Sequence, residues 1–129
     1  MKTVFFVALG GAVGAVLRYL VTLGALRLGS ITIPLATLFV NVTGSFVMGV
    51  FFSWFEYEHT PGELRNFLVT GFLGAYTTFS TFSLETMNLA RNNKYFAGTG
   101  NLLLNNGLSI AFVFLGVLLG RVAVRRFGR

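Results

Sequence analysis

Four long apolar stretches constrain this chain more than any other feature of its sequence. They run over Thr3 to Leu26, Ile33 to Phe55, Leu64 to Ala90 and Leu102 to Val124. Each is long enough, at about 1.5 Å per helical residue, to cross a hydrocarbon core about 30 Å thick. Because a spanning segment must satisfy its own backbone hydrogen bonds, the stretches predict four transmembrane α-helices and an all-α fold.

Little sequence remains outside these stretches. The chain is 54% hydrophobic and 11% charged, with a mean hydropathy of +0.74, which is far from the balance of a soluble domain. We therefore expect a single four-helix transmembrane domain over residues 1–129. Its helices are predicted at about 3–26, 33–55, 61–92 and 99–124.

Residues typical of helix starts mark three of these boundaries. Pro34 suits the first turn of helix 2, where its missing N–H needs no partner. Thr60, Pro61 and Glu63 have the spacing of an N-cap, a first-turn proline and a capping-box glutamate. Thr99 is a candidate cap for helix 4.

The net charge of +6 comes mainly from basic residues near the ends of the spans. Such residues meet anionic lipid, so nucleic-acid binding is not expected. With four crossings, one side of the membrane holds six basic residues and the other side three. The first side has Lys2, Arg65, Arg121, Arg125, Arg126 and Arg129; the other has Arg27, Arg91 and Lys94. This bias favours both termini in the cytoplasm.

Glycine is abundant, with sixteen residues. Membrane helices approach each other closely through small residues spaced four apart. Three pairs have that spacing: Gly10 with Gly14, Ser45 with Gly49, and Gly116 with Gly120. Four short helices have no large interior of their own, so we expect at least a dimer.

Polar side chains interrupt three of the spans, where they are costly unless they face protein or water. Helix 1 has Arg18, helix 2 has Asn41 on one face with Thr37 and Ser45, and helix 4 has Asn105 and Ser109. Any one of them is readily explained by a hydrogen bond between helices. The amides and hydroxyls of helices 2 and 4, taken together with the hydroxyls of helix 3, are donors on three helices that suit an anion or a water-filled path.

Helix 3 contains the least lipid-like segment, GFLGAYTTFSTFSLE, from Gly71 to Glu85. On a helical wheel Thr77, Thr81 and Glu85 share one face, and Phe79 and Phe82 lie on another. The phenylalanine spacing by itself is typical of packing. Gly71 and Gly74, followed by two threonines, weaken the helix before the aromatic pair. A break there would free backbone carbonyls, whose oxygens suit a small hard cation.

Three segments together resemble the Fluc family of small fluoride channels, also called CrcB proteins. They are GFLGAYTTFSTFSLE, GGAVGAVLRY (Gly10 to Tyr19) and TLFVNVTGSFVMG (Thr37 to Gly49). The resemblance covers essentially the whole chain. It implies an antiparallel, dual-topology homodimer of four-helix subunits, with two fluoride pores and a structural sodium ion at the dimer interface.

The resemblance also implies roles for particular residues. The aromatic pair of the fluoride path would be Phe79 and Phe82, and Asn41 would be the pore amide donor. The polar track beside that path would comprise Ser80, Thr81 and Glu85.

The remaining implied residues lie around this path. The carbonyls of Gly74 and Thr77 would hold the sodium ion. Arg18 matches the family's arginine near the aqueous vestibule, and Asn105 with Ser109 matches its polar residues in helix 4. From its place one turn beyond Thr81, we expect Glu85 near a pore end.

The implied function is a fluoride-selective channel of the bacterial plasma membrane. Fluoride would leave the cytoplasm passively, which gives fluoride resistance. The alternatives are a proton-coupled exporter of the small multidrug type and a purely structural tetraspan subunit. The exporter would want a carboxylate in helix 1, where this chain has Arg18.

Catalysis is not expected, because the sequence has no Walker-type phosphate loop and no nucleophile with a base beside it. The loop between helices 2 and 3 has four residues that are able to bind a metal ion. We interpret them as solvated: Glu56, Glu58, His59 and Glu63.

Overall fold

A computed structural model describes residues 1–27, 34–57 and 60–127. These residues contain four helices long and apolar enough to cross a membrane, and no strand. They are α1 (Lys2–Leu26), α2 (Leu35–Tyr57), a third span over Gly62–Arg91, and α6 (Tyr95–Phe127). The prediction of an all-α chain with four transmembrane helices is confirmed.

The third span is divided along its length. It consists of α3 (Gly62–Arg65), a π-helical segment (Asn66–Leu73), α4 (Gly74–Tyr76) and α5 (Phe79–Arg91). Between α4 and α5 the backbone is extended, with φ −80° and ψ 158° at Thr77, and φ −152° and ψ 115° at Thr78. The predicted break in helix 3 is confirmed. The wheel that put Thr77 on one face with Thr81 and Glu85 is wrong, because the helix does not continue through Thr77.

The helices pack as two close pairs through small residues. In one pair α2 lies on α6, where a Cβ added at Gly116 would collide with the carbonyl oxygen of Phe46. In the other pair α1 lies on the π-helical segment, and a Cβ at Gly10 would collide with the carbonyl oxygen of Phe67. The glycines therefore allow the close helix contacts expected of them.

Two of the predicted helix starts differ from the structure, and part of a third lies outside the described residues. Helix α6 begins at Tyr95, so Thr99 lies within it and is not its cap. Pro61, not Thr60, holds the N-cap position of α3. Pro34 directly precedes α2 and its carbonyl accepts the Leu38 N–H at 3.2 Å, as in a first helical turn. The expected start of that helix at Ile33 is among the residues not described.

The connection between α5 and α6 is short because Asn93 turns the chain. Its φ is +58°, a left-handed conformation that asparagine tolerates. The Lys94 N–H donates to the Leu89 carbonyl at 2.9 Å, and the Asn93 N–H donates to the Ala90 carbonyl at 3.0 Å. This is the Schellman arrangement, which satisfies the last carbonyls of α5.

The interior of the folded chain is unusually polar. The buried apolar side chains are Val40, Leu73 and Phe82, whereas the buried polar ones are Thr37, Ser53, Thr78, Asn101 and Asn105. Large apolar side chains instead cover the outside, as a chain surrounded by lipid requires. Most of the buried polar residues lie near the break in the third span.

Candidate functional site

The side chain of Asn41 on α2 forms hydrogen bonds with the backbone at the break in the third span. Its Oδ1 accepts the backbone N–H of Thr78 at 2.8 Å, and its Nδ2 donates to the Thr78 carbonyl at 3.2 Å. A backbone N–H or C=O left unpaired inside a membrane is costly. The asparagine supplies both partners that an uninterrupted helix would have given to Thr78.

The break also redirects the donors of two carbonyls. In a continuous helix Thr78 N–H would bond to the Gly74 carbonyl and Thr81 N–H to the Thr77 carbonyl. Here Thr78 N–H goes to Asn41, and Thr81 N–H goes to the Thr78 hydroxyl at 3.3 Å. The two carbonyls predicted from the family resemblance are thus among those that lose their helical donors at the break.

The new helix start at Phe79 is capped by Thr78. Besides accepting the Thr81 N–H, the Thr78 hydroxyl donates to the Thr81 hydroxyl at 2.9 Å. The Ser80 hydroxyl is 3.5 Å away from that of Thr78. Three hydroxyls are therefore gathered at the first turn of α5.

Phe79 and Phe82 form an aromatic pair immediately after the cap. Their ring centroids are 5.4 Å apart and the rings are inclined by 62°, an edge-to-face arrangement. Phe82 is buried, with 5% of its surface exposed, but Phe79 is 74% exposed. The pair therefore reaches from the interior of the four-helix fold to its outer face.

A chain of side-chain amides connects Asn41 to α6. Asn41 Nδ2 donates to Asn105 Oδ1 at 2.9 Å, and Asn105 Nδ2 donates to Asn101 Oδ1 at 2.9 Å. Asn101 Nδ2 then donates to the hydroxyl of Thr86 on α5, also at 2.9 Å. Asn101 and Thr86 were not among the predicted site residues. The spacing of four between Asn101 and Asn105 was the signal available in the sequence.

A cavity of about 270 Å³ lies beside the break, between α2, α5 and α6. One part of its wall is polar, and the aromatic pair forms another part together with Met48 and Val113. The polar lining comprises Asn41, Ser45, Thr77, Thr78, Asn105, Asn106 and Ser109. Seven residues singled out in the sequence, from three of the spans, thus line this cavity: Asn41, Ser45, Thr77, Phe79, Phe82, Asn105 and Ser109.

A second cavity of about 270 Å³ lies between α1, α2 and α5. Its lining includes Arg18, Thr37, Thr78 and Thr81. Thr78 lines both cavities, so the break in the third span lies between them.

Glu85 is in contact with Thr37, which lines the second cavity. The Thr37 hydroxyl donates to Glu85 Oε1 at 2.7 Å, and Glu85 Oε2 is buried without a hydrogen-bond partner among the described residues. Glu85 and Ser80 line neither of these two cavities. These two predicted residues therefore lie near the cavities and not in their walls.

The acidic loop gives no metal site in the part of the chain that the structure describes. Glu58 and His59 lie outside that part, and no group of three metal-binding side chains occurs within it. Glu56 instead pairs with Arg121 of α6 at 3.3 Å.

Comparison with known sequences gives a consistent result. The family described as CrcB-like protein, Camphor Resistance (CrcB), matches residues 5–117. A protein of Shewanella denitrificans named fluoride-specific ion channel FluC is 46% identical, over 90% of this chain and 94% of its own. Proteins with the same name from Shewanella pealeana and Shewanella halifaxensis are 45% and 44% identical over the same shares.

Proposed function

Because this chain belongs to the CrcB-like protein family, we propose that it is a fluoride-specific ion channel, a multi-pass protein of the plasma membrane. Relatives that cover nearly its full length carry that name. We propose further that the flow is passive and outward, driven by a membrane potential that is negative inside. Export would then lower cytoplasmic fluoride and give fluoride resistance.

The observation that carries this proposal is the break in the third span, which Asn41 bridges and which has a cavity on either side. The residues around it provide a polar wall, an edge-to-face phenylalanine pair and a threonine common to both cavities. Fluoride is small and strongly hydrated, so a path must offer donors in place of water. The positive edges of aromatic rings add a weak attraction for an anion.

Several donors on the cavity wall are available to an ion. The hydroxyls of Ser45 and Ser109 make no hydrogen bond within the described residues, and Asn106 uses one N–H on the Leu102 carbonyl. Neutral donors hold an anion less tightly than a cluster of arginines or lysines, so the ion is able to leave again.

Asn41 is a more constrained donor than the family resemblance suggests. Both of its N–H groups are engaged, one by the Thr78 carbonyl and one by Asn105 Oδ1. We propose that a fluoride ion at Asn41 takes the place of the Asn105 oxygen. The hydrogen bonds between Asn41 and the Thr78 backbone would then stay in place, and the N–H and carbonyl of Thr78 would remain paired.

The carbonyls of Gly74 and Thr77 fit the structural sodium ion that the family resemblance implies. Their helical donors are engaged elsewhere, and carbonyl oxygen is the ligand type that such hard cations prefer. Two carbonyls leave most of a coordination shell open. We propose that a second copy of the chain supplies two more, with the ion between the subunits of an antiparallel homodimer.

The exposure of Phe79 supports the same assembly. A residue of the proposed path that is 74% exposed in one subunit needs a neighbour to close the path against lipid. In an antiparallel pair each copy would cover the open side of the other.

Fluoride efflux from liposomes tests the proposal. Purified protein is reconstituted into vesicles loaded with potassium fluoride, valinomycin is added, and a fluoride electrode records release. We expect fast fluoride release without chloride release in a parallel chloride experiment. Phe79→Ile should abolish it, because the ring edge is lost.

Phe114→Ile is the matched control. Phe114 lies on α6, is 67% exposed and lines neither cavity, so this variant should conduct like the wild type. If correctly folded wild-type protein releases no fluoride, the channel proposal fails and the polar interior serves packing alone.

A further inference from the structure

We propose that Asn101 is a positioning residue for the conduction path, acting through a chain of hydrogen bonds that braces the start of α5 against α6. The chain starts at the Thr78 backbone N–H, passes through Asn41, Asn105 and Asn101, and returns to α5 at Thr86. The Thr86 hydroxyl then donates to the carbonyl of Phe82 at 2.9 Å. We call this set of contacts the amide brace.

The direction of every bond in the amide brace is fixed from its ends. A backbone N–H only donates, so Asn41 must turn its oxygen to the Thr78 N–H and its nitrogen to the Thr78 carbonyl. That nitrogen then faces the oxygen of Asn105, whose own nitrogen faces both Oδ1 and the carbonyl of Asn101. Each amide orients the next one.

The far end of the brace is equally determined. Thr86 donates its single hydroxyl proton to the Phe82 carbonyl and therefore accepts from Asn101. Asn101 is thus the link that joins the orientation of the amides on α6 to the second turn of α5.

Burial makes these bonds hard to replace. Asn101 is 0% exposed and Asn105 is 3% exposed, and both lie in a membrane span. An Asn101 amide turned away from its partners there would meet neither water nor another polar group. Asn101 therefore stays paired with Asn105 and Thr86.

The two ends of the brace enclose the aromatic pair. Thr78 directly precedes Phe79, and Thr86 bonds to the carbonyl of Phe82, so the segment between the two threonines is fixed at both ends. Asn101 itself lines neither cavity. Its effect on ion flow would be indirect, through the break and the pair, and that part of the inference rests on the proposed channel function.

Hydrogen exchange of the Thr78 amide tests the brace without any ion flow. NMR in detergent micelles would compare wild type with Asn101→Leu, of similar size, and Thr86→Val, which keeps the shape and loses the hydroxyl. We expect exchange at Thr78 to rise about tenfold in Asn101→Leu, the order expected for one weakened buried hydrogen bond, and less in Thr86→Val.

Two further variants separate the brace from general effects on α5. Ser83 also donates its hydroxyl to a backbone carbonyl one turn earlier, that of Phe79 at 2.9 Å, but it is not part of the brace. Ser83→Ala should leave the exchange rate of the Thr78 amide unchanged. Thr86→Ser keeps a hydroxyl, so its Thr78 amide should exchange at the wild-type rate, unlike that of Thr86→Val. Unchanged exchange at Thr78 in folded Asn101→Leu or Thr86→Val would overturn the inference.

Fluoride efflux then tests the positioning role. We expect Asn101→Leu to slow efflux in proportion to its effect on Thr78 exchange. If exchange rises and efflux does not change, Asn101 is not a positioning residue and the inference is overturned. If the wild type itself releases no fluoride, the proposed function fails, whereas the exchange experiment still decides whether the amide brace exists.

Discussion

At the scale of the residue, Asn41 does for Thr78 what a neighbouring strand does in a sheet. Its carboxamide pairs with both the N–H and the carbonyl of one extended residue. Composition and spacing identified Asn41 and Asn105 as residues out of place in lipid, whereas the role predicted for Phe82 came only from the family resemblance. They did not identify the pairs, because Asn41 and Thr78 are 37 positions apart and an amide's partner is decided by how helices pack. Asn101 was missed because it directly precedes the apolar run from Leu102.

Asn41→Asp should abolish fluoride efflux. The carboxylate keeps the bond from the Thr78 N–H, but it has no proton for the Thr78 carbonyl or for Asn105. A unit charge about 4 Å from a fluoride ion opposes it by about 4 kcal/mol at an effective dielectric of about 20, enough to slow efflux by more than about a hundredfold.

Asn88→Asp is the control for that change. Asn88 is exposed on α5 and lines neither cavity. Efflux from the Asn88→Asp variant should match the wild type. An Asn41→Asp protein that conducts normally would contradict the placement of Asn41 on the path.

Arg18→Gln should slow fluoride efflux several-fold at low salt. The guanidinium lines the second cavity, where its charge raises the local concentration of anions. The difference should shrink as ionic strength rises, because the Debye length falls from about 10 Å at 0.1 M to about 3 Å at 1 M. Efflux rates measured over that salt range check this expectation.

Arg27→Gln removes an equal charge from the end of α1, outside both cavities. It should show a much smaller effect at every salt concentration. Equal effects of the two variants would contradict a specific role for Arg18.

At the scale of the element, the third span unites a predictable feature with an unpredictable one. Its break follows from Gly71, Gly74 and the threonines after them, all visible in the sequence. The π-helical turn over Asn66–Leu73 does not, because periods near 3.6 and 4.4 residues look alike where nearly every side chain is apolar. The segment lies against α1 so closely that a Cβ at Gly71 would come within 2.5 Å of the Val7 carbonyl oxygen.

Gly116→Ala should destabilise the α2–α6 pair. The added methyl would collide with the carbonyl oxygen of Phe46, which belongs to a helix backbone and does not move easily. We expect a loss of at least about 1–3 kcal/mol in unfolding free energy, the usual cost of overpacking. Thermal unfolding in detergent, followed by circular dichroism, measures it.

Gly107→Ala gives the comparison on the same helix. A Cβ there meets nothing within 4 Å, and alanine favours a helix over glycine by about 0.5–1 kcal/mol. This variant should be as stable as the wild type or slightly more so. If both alanine variants behave alike, close contact at Gly116 is not what holds the pair together.

At the scale of the whole molecule, the folded chain has an apolar outside and an open polar interior. In the proposed assembly, most of its exposed large apolar side chains would face lipid, whereas Phe79 and the cavity beside it would face the second copy. In the proposed antiparallel homodimer, each membrane face would present one end of each copy. The basic residues at the two ends of the subunit would then be shared equally between both sides.

Cysteine labelling of Lys94→Cys tests that arrangement. The chain has no cysteine of its own, so a single thiol in the turn between α5 and α6 reports only its own position. In intact cells about half of the chains should react with a membrane-impermeant maleimide if the two orientations are equally populated. Labelling of all chains, or of none, would contradict the antiparallel dimer.

The bridge from Asn41 to Thr78 also bears on the order in which the chain is made. Ribosomes deliver Asn41 to the membrane before the break that it pairs with, whereas Asn105 follows later. A third span that met lipid alone would expose the unpaired N–H and C=O of Thr78. It is stable in the bilayer only once α2 is beside it, and α6 then closes the remaining amide contacts. Biosynthesis from the N-terminus therefore brings Asn41 into the membrane before the break that it pairs with, and a circular permutant that begins at α3 would reverse that order.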